Sequence, residues 1–252
     1  MINLAEKVIL VTGGSQGIGA ATVKTLHQAG ADVILHYGKS QEQAARILNE
    51  LVQESCCLIQ ADLGEITGPN QLWSQALEWR GRIDVIVNNA GLVSTVSPEA
   101  AWETWHQSWQ VTLQVNLIAV ADLCRAAIDH FQRRGGGIII NISSRAAFRG
   151  DQPDMMHYAA SKGGVISLTR SIARGFGKDR ILAYAIAPGF VRTERIESML
   201  SPGREAVIAQ ESPMGELAAP EDVANTVTFL ASGLAPHATG TTIDINGASY
   251  VR

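Results

Sequence analysis

The fold is decided by residues 7–37, which read KVILVTGGSQGIGAATVKTLHQAGADVILHY. The apolar, β-branched run 7–11 predicts a strand, residues 20–29 predict a helix, and residues 32–37 predict a second strand. A glycine-rich turn, residues 12–19, joins the first strand to the helix. This order of elements within about 30 residues predicts a dinucleotide-binding site. The glycines permit a tight turn, and the free amides at the helix N-terminus attract a pyrophosphate.

The spacing of this turn is Gly-x-x-x-Gly-x-Gly and differs from the commoner Gly-x-Gly-x-x-Gly. The residues predicted to bind the cofactor here are Gly13, Ser15, Gln16, Gly17, Ile18 and Gly19.

The rest of the chain continues the alternation of strand and helix. Further strands are predicted near residues 57–61, 83–88, 137–143, 181–187 and 241–245, and helices near 41–54, 70–80, 101–132, 157–176 and 220–231. Several strands are continuous apolar runs, which is typical of strands buried on both faces. The pattern predicts an α/β fold, a single-domain doubly wound (Rossmann-like) parallel sheet of about seven strands with helices on both faces, over residues 1–252.

Ligands of such sheets bind beyond the carboxyl ends of the strands. Gly13, Asn89, Ser144 and Pro188 all follow predicted strands and are therefore expected at that edge.

The end of the second strand bears on the choice of cofactor. A carboxylate there would bind the ribose 2′-hydroxyl of NAD, but the chain has Tyr37, and Lys39 and Ser40 follow closely. A cation and a hydroxyl suit a 2′-phosphate, so NADP(H) is favoured and NAD(H) is the alternative. Lys39 could equally be a solvated loop lysine, and Gln16 is neutral where a second cation could have helped.

Tyr158 and Lys162 are four residues apart and face the same way on a helix. An unperturbed phenol titrates near ~10. A cation one helical turn away lowers that pKa, so the pair can move a proton to or from an alcohol or carbonyl oxygen. Tyr-x-x-x-Lys also occurs by chance on surface helices, but here Ser143 and Ser144 lie shortly upstream.

Together these motifs resemble the short-chain dehydrogenase/reductase family, and in particular its 3-oxoacyl-carrier-protein reductases, over nearly all of the chain. The motifs that carry the resemblance are the turn 12–19, Asp62-Leu63, 88–91, Asn116, Ser143-Ser144, Tyr158 with Lys162, 188–193 and 240–247. Beyond the turn, the residues expected to bind the cofactor are Tyr37, Lys39, Ser40, Asp62, Leu63, Asn89, Ala90, Gly91, Tyr158, Lys162, Pro188, Gly189, Val191 and Thr193.

The resemblance implies a catalytic set of Asn116, Ser144, Tyr158 and Lys162. Hydride passes between the nicotinamide and a substrate carbon, and Tyr158 exchanges a proton with the substrate oxygen. Lys162 lowers the pKa of Tyr158 and binds the nicotinamide ribose. Ser144 donates a hydrogen bond to the substrate oxygen, and Asn116 holds a water that links Lys162 to solvent.

Several alternatives stay open. Ser143 could replace Ser144 as the donor, Asn116 could be a helix-packing amide, and Asp62 could be a turn residue. His157 precedes Tyr158 and could act in acid/base chemistry instead.

The composition is that of a globular protein. Hydrophobic residues make up 46% and charged residues 17%, and the net charge of −4 gives no broad attraction for nucleic acid or lipid. The three cysteines, Cys56, Cys57 and Cys124, have no metal-like spacing, so a reduced cytoplasmic protein without a metal is expected. We also expect neither a signal peptide nor a membrane span.

Residues 193–212 resemble the substrate lid of the family, and Met199 and Leu200 could line an apolar pocket there. The segment 148–157 is also expected to face the substrate. Trp102, Trp105 and Trp109 share one helical face, which favours packing against the body or a second subunit over a ligand platform.

The expected function is an NAD(P)(H)-dependent oxidoreductase that interconverts a small-molecule ketone and a secondary alcohol. The most specific substrate prediction is a 3-oxoacyl thioester. The alternatives are a sugar, polyol or hydroxy-acid dehydrogenase that uses NAD, and a non-catalytic nucleotide-binding regulator. The family resemblance implies a homotetramer, with a homodimer as the alternative. Two basic clusters could dock an acidic carrier protein or could be solvated helix ends; they comprise Arg133, Arg134, Lys178 and Arg180.

Overall fold

A parallel sheet of seven strands, in the order β3-β2-β1-β4-β5-β6-β7, organises the computed structural model, which describes residues 2–199 and 202–252. The strands are β1 (Val8–Val11), β2 (Asp32–Tyr37), β3 (Cys56–Gln60), β4 (Val85–Asn88), β5 (Gly137–Ile142), β6 (Ile181–Pro188) and β7 (Thr242–Ile245). The helices are α1 (Gly17–Gln28), α2 (Gln41–Asn49), α3 (Gly68–Arg80), α4 (Trp102–Leu113), α5 (Ala119–Arg134), α6 (Ala146–Arg149), α7 (Met156–Phe176), α8 (Glu194–Met199), α9 (Pro202–Gln210) and α10 (Pro220–Ala231).

The sheet order reverses between β1 and β4. β1 pairs with β2 on one side and with β4 on the other, and both pairings are parallel. A crevice for ligands opens at such a reversal, beyond the carboxyl ends of the strands. The predicted fold class, a single-domain doubly wound parallel sheet with helices on both faces, is confirmed.

The core consists of two buried apolar clusters, one on each face of the sheet. Val23 of α1 and Val227 of α10 pack on one face. Leu72 of α3, Leu123 of α5 and Val165 of α7 pack on the other face. Burial of each such side chain contributes about 1.5–3 kcal/mol, so strands covered on both faces account for the continuous apolar runs in the sequence.

One predicted helix is shorter than expected. Residues 41–54 were expected to be helical, but α2 ends at Asn49 and a short 3₁₀ turn occupies Gln53–Ser55. The reason is a side chain of α1: His27 accepts the amide hydrogen of Val52 and hydrogen-bonds the hydroxyl of Ser55. These bonds turn the chain toward β3.

The long helix predicted over 101–132 contains a break in its hydrogen bonding. A π turn at Gln114–Ile118 separates α4 from α5, and the amide of Ala119 donates to the carbonyl of Gln114, five residues earlier. π turns are rare and occur often at functional sites, and this one carries Asn116.

The lid segment 193–212 contains two helices, α8 and α9, that the sequence analysis did not predict. The apolar pocket expected from Met199 and Leu200 cannot be traced, because Leu200 and the Met199 side chain lie outside the described residues.

By length and composition alone, the continuous helix Trp102–Arg134 could cross a membrane, but a core helix meets the same criteria. In the fold its buried face, including Leu123 and Cys124, packs into the core cluster shared with α3 and α7. We therefore assign this helix to the body of the domain.

Gly19 offers a direct test of the packing between the turn and α1. A Cβ at this position would lie 2.0 Å from the carbonyl oxygen of Gly13. We expect Gly19→Ala to lower the free energy of unfolding by about 3 kcal/mol, because backbone cannot move aside as a side chain can.

The matched control is Gly175→Ala, a helical glycine of α7 whose added Cβ would meet nothing within 4 Å. It should raise stability by about 0.5–1 kcal/mol, since alanine favours the helix. Denaturant unfolding of both variants measures the difference, and similar values for the two would contradict the packing described.

Candidate active site

The glycine turn is fastened to the end of β4 by Thr12 and Asn89. The Asn89 side-chain amide donates to the carbonyls of Thr12 (2.9 Å) and Gly13 (3.1 Å). In return, Thr12 Oγ1 accepts from the amides of Asn89 and Ala90, both at 3.0 Å. The turn 12–19 and the segment 88–91 therefore form one rigid unit, as their adjacency at the carboxyl edge predicted.

The N-terminus of α1 faces the beginning of the lid. The Gly17 amide donates to a carboxylate oxygen of Glu194 at 3.1 Å, and a Cβ on Gly17 would lie 3.0 Å from Thr193 Cγ2. Gly17 has a positive φ of 52°, which suits glycine. The structure thus brings Thr193 to the predicted cofactor turn, and it adds Glu194, which the sequence analysis did not single out.

The adenine side of the site follows β2 and β3. Tyr37 is buried within the core cluster, whereas Lys39 is exposed and Ser40 half-buried at this end. Asp62 is exposed, and its carboxylate accepts the amide hydrogen of Gly64 at 2.8 Å, a bond that fits the turn role considered as the alternative, while its contact with the cofactor stays a prediction. Leu63 is buried beside it. Lys39 and Ser40 remain as accessible polar groups after β2.

The Tyr158 phenol lies half-buried in the first turns of α7 and hydrogen-bonds with Ser144 at the end of β5. Burial raises the pKa of this phenol above its ordinary value. The Ser144 hydrogen bond acts in the opposite direction, the Asp151 carboxylate raises the pKa further, and Arg195 lowers it. The balance keeps Tyr158 protonated at neutral pH.

Lys162 is buried, with 5% of its surface exposed, and its Nζ donates to the carbonyl of Ile142 at 2.9 Å. Nζ lies 6.0 Å from the centre of the Tyr158 ring. Burial lowers the pKa of Lys162 to about 8. The net shift of the Tyr158 pKa is therefore upward in this structure, because burial of the phenol outweighs the charges around it, and the lowering of that pKa by Lys162 stays a prediction.

The two serines after β5 point in different directions. Ser143 is buried, and its hydroxyl donates to the Lys162 carbonyl at 2.9 Å. The Ser144 oxygen accepts the amide hydrogen of Ala146 at 3.1 Å, which leaves its own hydrogen for the Tyr158 phenol. The geometry thus favours Ser144 over Ser143 as the donor in the crevice.

Asn116 joins the π turn to two neighbouring segments. Its amide oxygen accepts from the Leu92 amide at 2.7 Å, and its amide nitrogen donates to the Leu92 carbonyl (2.9 Å) and to Ser161 Oγ (3.2 Å). The side chain is fully buried. It therefore links the loop after β4 to α7, and its part in a proton relay stays a prediction.

The segment after β6 forms the opposite wall. The Gly189 amide donates to the Ile245 carbonyl at 2.9 Å, and Val191 is buried and bridges to Ala218. The Pro188 carbonyl accepts the amide hydrogen of Arg145 at 3.0 Å. These bonds hold the segment 188–193 next to Ser144.

Arg145 is a buried residue of this site that the sequence analysis missed. Its guanidinium donates to Glu211 at the end of the lid (2.8 Å) and to Ser249 near the C-terminus (2.7 Å), and it lies 4.7 Å from the Phe190 ring centre. Its one signal in the sequence is its position directly after Ser144, the predicted catalytic serine. It ties the lid and the C-terminal segment to the end of β5.

The His157 side chain is bonded within the fold and does not point toward Ser144 and Tyr158. Its Nε2 lies 3.2 Å from Ser94 Oγ and 3.3 Å from Ser108 Oγ, and the residue is fully buried. Burial lowers its pKa. It anchors the loop after β4 to α7 rather than replacing Tyr158.

The two basic clusters are adjacent, but at the far edge of the sheet. Gln132 donates to Asp179 at 2.7 Å, and the Gly137 amide donates to the Arg180 carbonyl. Gly137 and Ile181 begin β5 and β6, so these clusters lie at the amino edge, opposite Ser144. A carrier protein docked there would lie at the opposite ends of the strands from Ser144 and Tyr158.

Within the described residues, no cluster of three or more His, Cys, Asp or Glu side chains could hold a metal.

Comparisons with known proteins agree with this geometry. A family model described as enoyl-(acyl carrier protein) reductase matches residues 13–248. The 3beta-hydroxysteroid dehydrogenase 1 of Eggerthella lenta is 37% identical, over 97% of this chain and 94% of that protein. The 3-oxoacyl-[acyl-carrier-protein] reductase of Rickettsia felis is 35% identical, over 98% of each chain.

A solved structure of a short chain dehydrogenase/reductase family protein superposes with a TM-score of 0.86 at 31% identity, and covers 98% of this chain and 99% of its own. Both relatives are named for reactions at hydroxyl or oxo groups, the chemistry that the Tyr158 site suits. The chain therefore belongs to the short-chain dehydrogenase/reductase family and is an oxidoreductase that acts on alcohol and carbonyl groups.

Proposed function

We propose that this protein is an NADP(H)-preferring reductase that converts a 3-oxoacyl thioester or a related ketone into the secondary alcohol, with Tyr158 as the acid. The observation that carries the proposal is the meeting of three groups at the end of β5: the half-buried Tyr158 phenol, its hydrogen-bond partner Ser144, and Lys162, whose Nζ lies 6.0 Å from the Tyr158 ring centre. A stored proton next to a hydrogen-bond donor suits the reduction of a carbonyl.

The residues of the crevice fit a dinucleotide. Gly19 lies so close to the Gly13 carbonyl that only glycine leaves this narrow turn intact. The Glu194 carboxylate on the Gly17 amide is a stand-in anion, since it takes the position at the helix N-terminus that a pyrophosphate oxygen would use. The turn 12–19, the segment 88–91 and the segment 188–193 would hold the cofactor. When bound, the nicotinamide supplies or accepts the hydride.

In the reductive direction, Tyr158 donates its phenolic proton to the substrate oxygen as the carbonyl becomes an alcohol. Ser144 donates a second hydrogen bond to the same oxygen and orients it. In the oxidative direction the same groups act in reverse, and Tyr158 must first lose its proton. The raised pKa of Tyr158 makes that loss harder than it is for a free phenol.

Lys162 and Asn116 restore the proton to Tyr158 after each turnover. Lys162 is mostly protonated at neutral pH, because its pKa of about 8 still lies above 7. The side chain of Asn116 already bonds Leu92 and Ser161, so the relay water is expected at the backbone of the π turn. This arrangement would connect Lys162 to solvent without opening the crevice.

The preference for NADP(H) rests on Lys39 and Ser40. Both follow β2, Lys39 is exposed, and no carboxylate occurs among residues 37–41. A cation and a hydroxyl are the groups that a 2′-phosphate would recruit.

A 3-hydroxysteroid is the second candidate substrate. The relative from Eggerthella lenta, 37% identical, is named for that class. Val93 and Met156, each 41% exposed, flank the crevice residues in sequence and would suit an apolar substrate body. Both candidates present a 3-oxo group to Tyr158, so they differ in what the lid must accommodate rather than in the chemistry.

We further propose a cytoplasmic homotetramer, with a homodimer as the alternative. Trp102 is 69% exposed, Val111 44% and Ile118 45%, all on the continuous helix that also carries Asn116. Exposed apolar side chains on one long helix favour a subunit contact. β7 lies at the edge of the sheet and could extend it to a second subunit.

Removal of the phenolic hydroxyl tests the assigned acid. We expect Tyr158→Phe to abolish turnover with a 3-oxoacyl thioester, acetoacetyl-coenzyme A, while NADPH binding measured by fluorescence is unchanged. The phenyl ring keeps the packing and removes only the proton. Near-normal activity in this variant would refute the mechanism. Ser143→Ala is the matched control, because its hydroxyl bonds the Lys162 carbonyl and should be less important for turnover than Ser144.

A second test concerns the 2′-phosphate. We expect NADPH to bind at least about tenfold more tightly than NADH, a difference of about 1.4 kcal/mol, and Lys39→Ala to remove most of it. The matched control is Lys178→Ala, an exposed lysine at the opposite edge of the sheet. Titrations at one salt concentration measure both. Equal or tighter NADH binding would refute the preference and favour an NAD-linked sugar, polyol or hydroxy-acid dehydrogenase.

A further inference from the structure

We propose that His36 is a positioning residue for the cofactor: its neutral side chain fixes the glycine turn to the adenine side of the crevice. The proposal rests on the proposed binding of a dinucleotide at the turn 12–19. His36 itself touches neither substrate nor cofactor, since it is 98% buried, with only 2% of its surface exposed.

The hydrogen bonds of His36 require one tautomer. Nδ1 accepts the amide hydrogen of Gly13 at 3.2 Å, and Nε2 lies 3.0 Å from the Ala61 carbonyl. An amide can only donate and a carbonyl can only accept, so Nδ1 must be bare and Nε2 must carry the hydrogen. A protonated ring would have hydrogens on both nitrogens and would lose the bond to Gly13.

The ring stays neutral under physiological conditions. Burial lowers the pKa of His36 to about 4, and the Ala61 hydrogen bond and the Asp62 carboxylate, which both favour protonation, do not offset it. The acceptor for Gly13 is therefore permanently present near neutral pH.

The backbone of His36 also accepts a hydrogen bond from the next amide of the turn. Its backbone carbonyl accepts from the Gly14 amide at 2.8 Å. Two successive amides of the turn are thus directed toward β2, and the amides at the start of α1, including that of Gly17, remain for an anion. The amides at the start of a helix are the ones that such a turn offers to a phosphate.

Through Ala61 the ring reaches the segment that precedes Asp62 and Leu63. Ala61 follows β3, and its own amide donates to the Tyr37 carbonyl at 3.2 Å. Displacement of the ring would release the turn and the β3 end together. We therefore expect His36 to control the affinity for the dinucleotide as a whole and not the choice between NADPH and NADH.

Two substitutions separate the bonds of the ring. His36→Leu keeps a similar volume and removes both side-chain bonds, which leaves the partly buried Gly13 amide without its acceptor. His36→Asn places an amide oxygen close to the position of Nδ1 and can still accept from Gly13. The control is His237→Leu, an exposed histidine in the turn before β7.

We expect His36→Leu to raise the dissociation constants of NADPH and NADH by about tenfold or more, and by the same factor. His36→Asn should recover a large part of the loss, and His237→Leu should bind both nucleotides as the wild type does. At saturating cofactor the kcat of His36→Asn should stay within about twofold of the wild type, because the catalytic groups are not moved. Binding of His36→Leu within about twofold of the wild type would overturn the proposal.

The tautomer is measured independently of any variant. In the ¹⁵N spectrum of the wild type at pH 7, His36 should show a protonated Nε2 and an unprotonated Nδ1. A charged ring or the opposite tautomer would overturn the proposal even if the variants fail to fold. A wild type that binds neither nucleotide would instead refute the proposed function, and the spectrum would still decide the state of His36.

Discussion

The bonds from the Asn89 amide to the Thr12 and Gly13 carbonyls join the two halves of the sheet where its order reverses. The same Gly13 carbonyl is the surface on which Gly19 packs, so the turn, α1 and the end of β4 share one arrangement. From Asn89 the chain runs to Leu92, which bonds Asn116, and Asn116 bonds Ser161 on the catalytic helix. These hydrogen bonds, most of them from side chains to backbone groups, therefore fix the position of helix α7 relative to the backbone amides that are expected to bind the phosphates. Such bonds tolerate little displacement.

The catalytic groups are held in an environment that is costly for the fold. Lys162 is buried without a carboxylate among the bonds described for it, and its partner is the Ile142 carbonyl. Burial lowers the pKa of Lys162 to about 8 and raises that of Tyr158, so the folded state disfavours the charged forms of both groups. Such a cost is typical of functional sites, where activity requires groups that stability would not select. Here it leaves a phenol with its proton and a buried lysine whose Nζ lies 6.0 Å from the centre of the phenol ring.

The fold was predictable because its signals are local. Strands buried on both faces appear as apolar runs, and helices with one buried face show apolar residues at the helical spacing. The order of elements therefore follows from the sequence. The spacing of Tyr158 and Lys162 is also local, and the structure brings both to the end of β5. The end of α2 was not predictable, because it depends on His27, which is 25 residues away from Val52.

The missed residues all act over long distances in the sequence. Arg145 meets Glu211 and Ser249, which are 66 and 104 residues away, and Glu194 meets Gly17 across 177 residues. The direction of the Tyr158 pKa was missed for a related reason. Sequence spacing reveals the charge of Lys162 but not the burial of the phenol, and burial is the larger effect.

The most direct test of the account follows the hydride. The protein would be incubated with NADPH carrying deuterium on one face of nicotinamide C4, and separately on the other, with acetoacetyl-coenzyme A and a 3-oxosteroid as ketones. We expect mass spectrometry to find deuterium on the carbinol carbon of at least one product. The deuterium should be transferred from only one of the two faces of the nicotinamide. Binding of the cofactor without deuterium transfer to either ketone, from either face and with NADH as well, would contradict it.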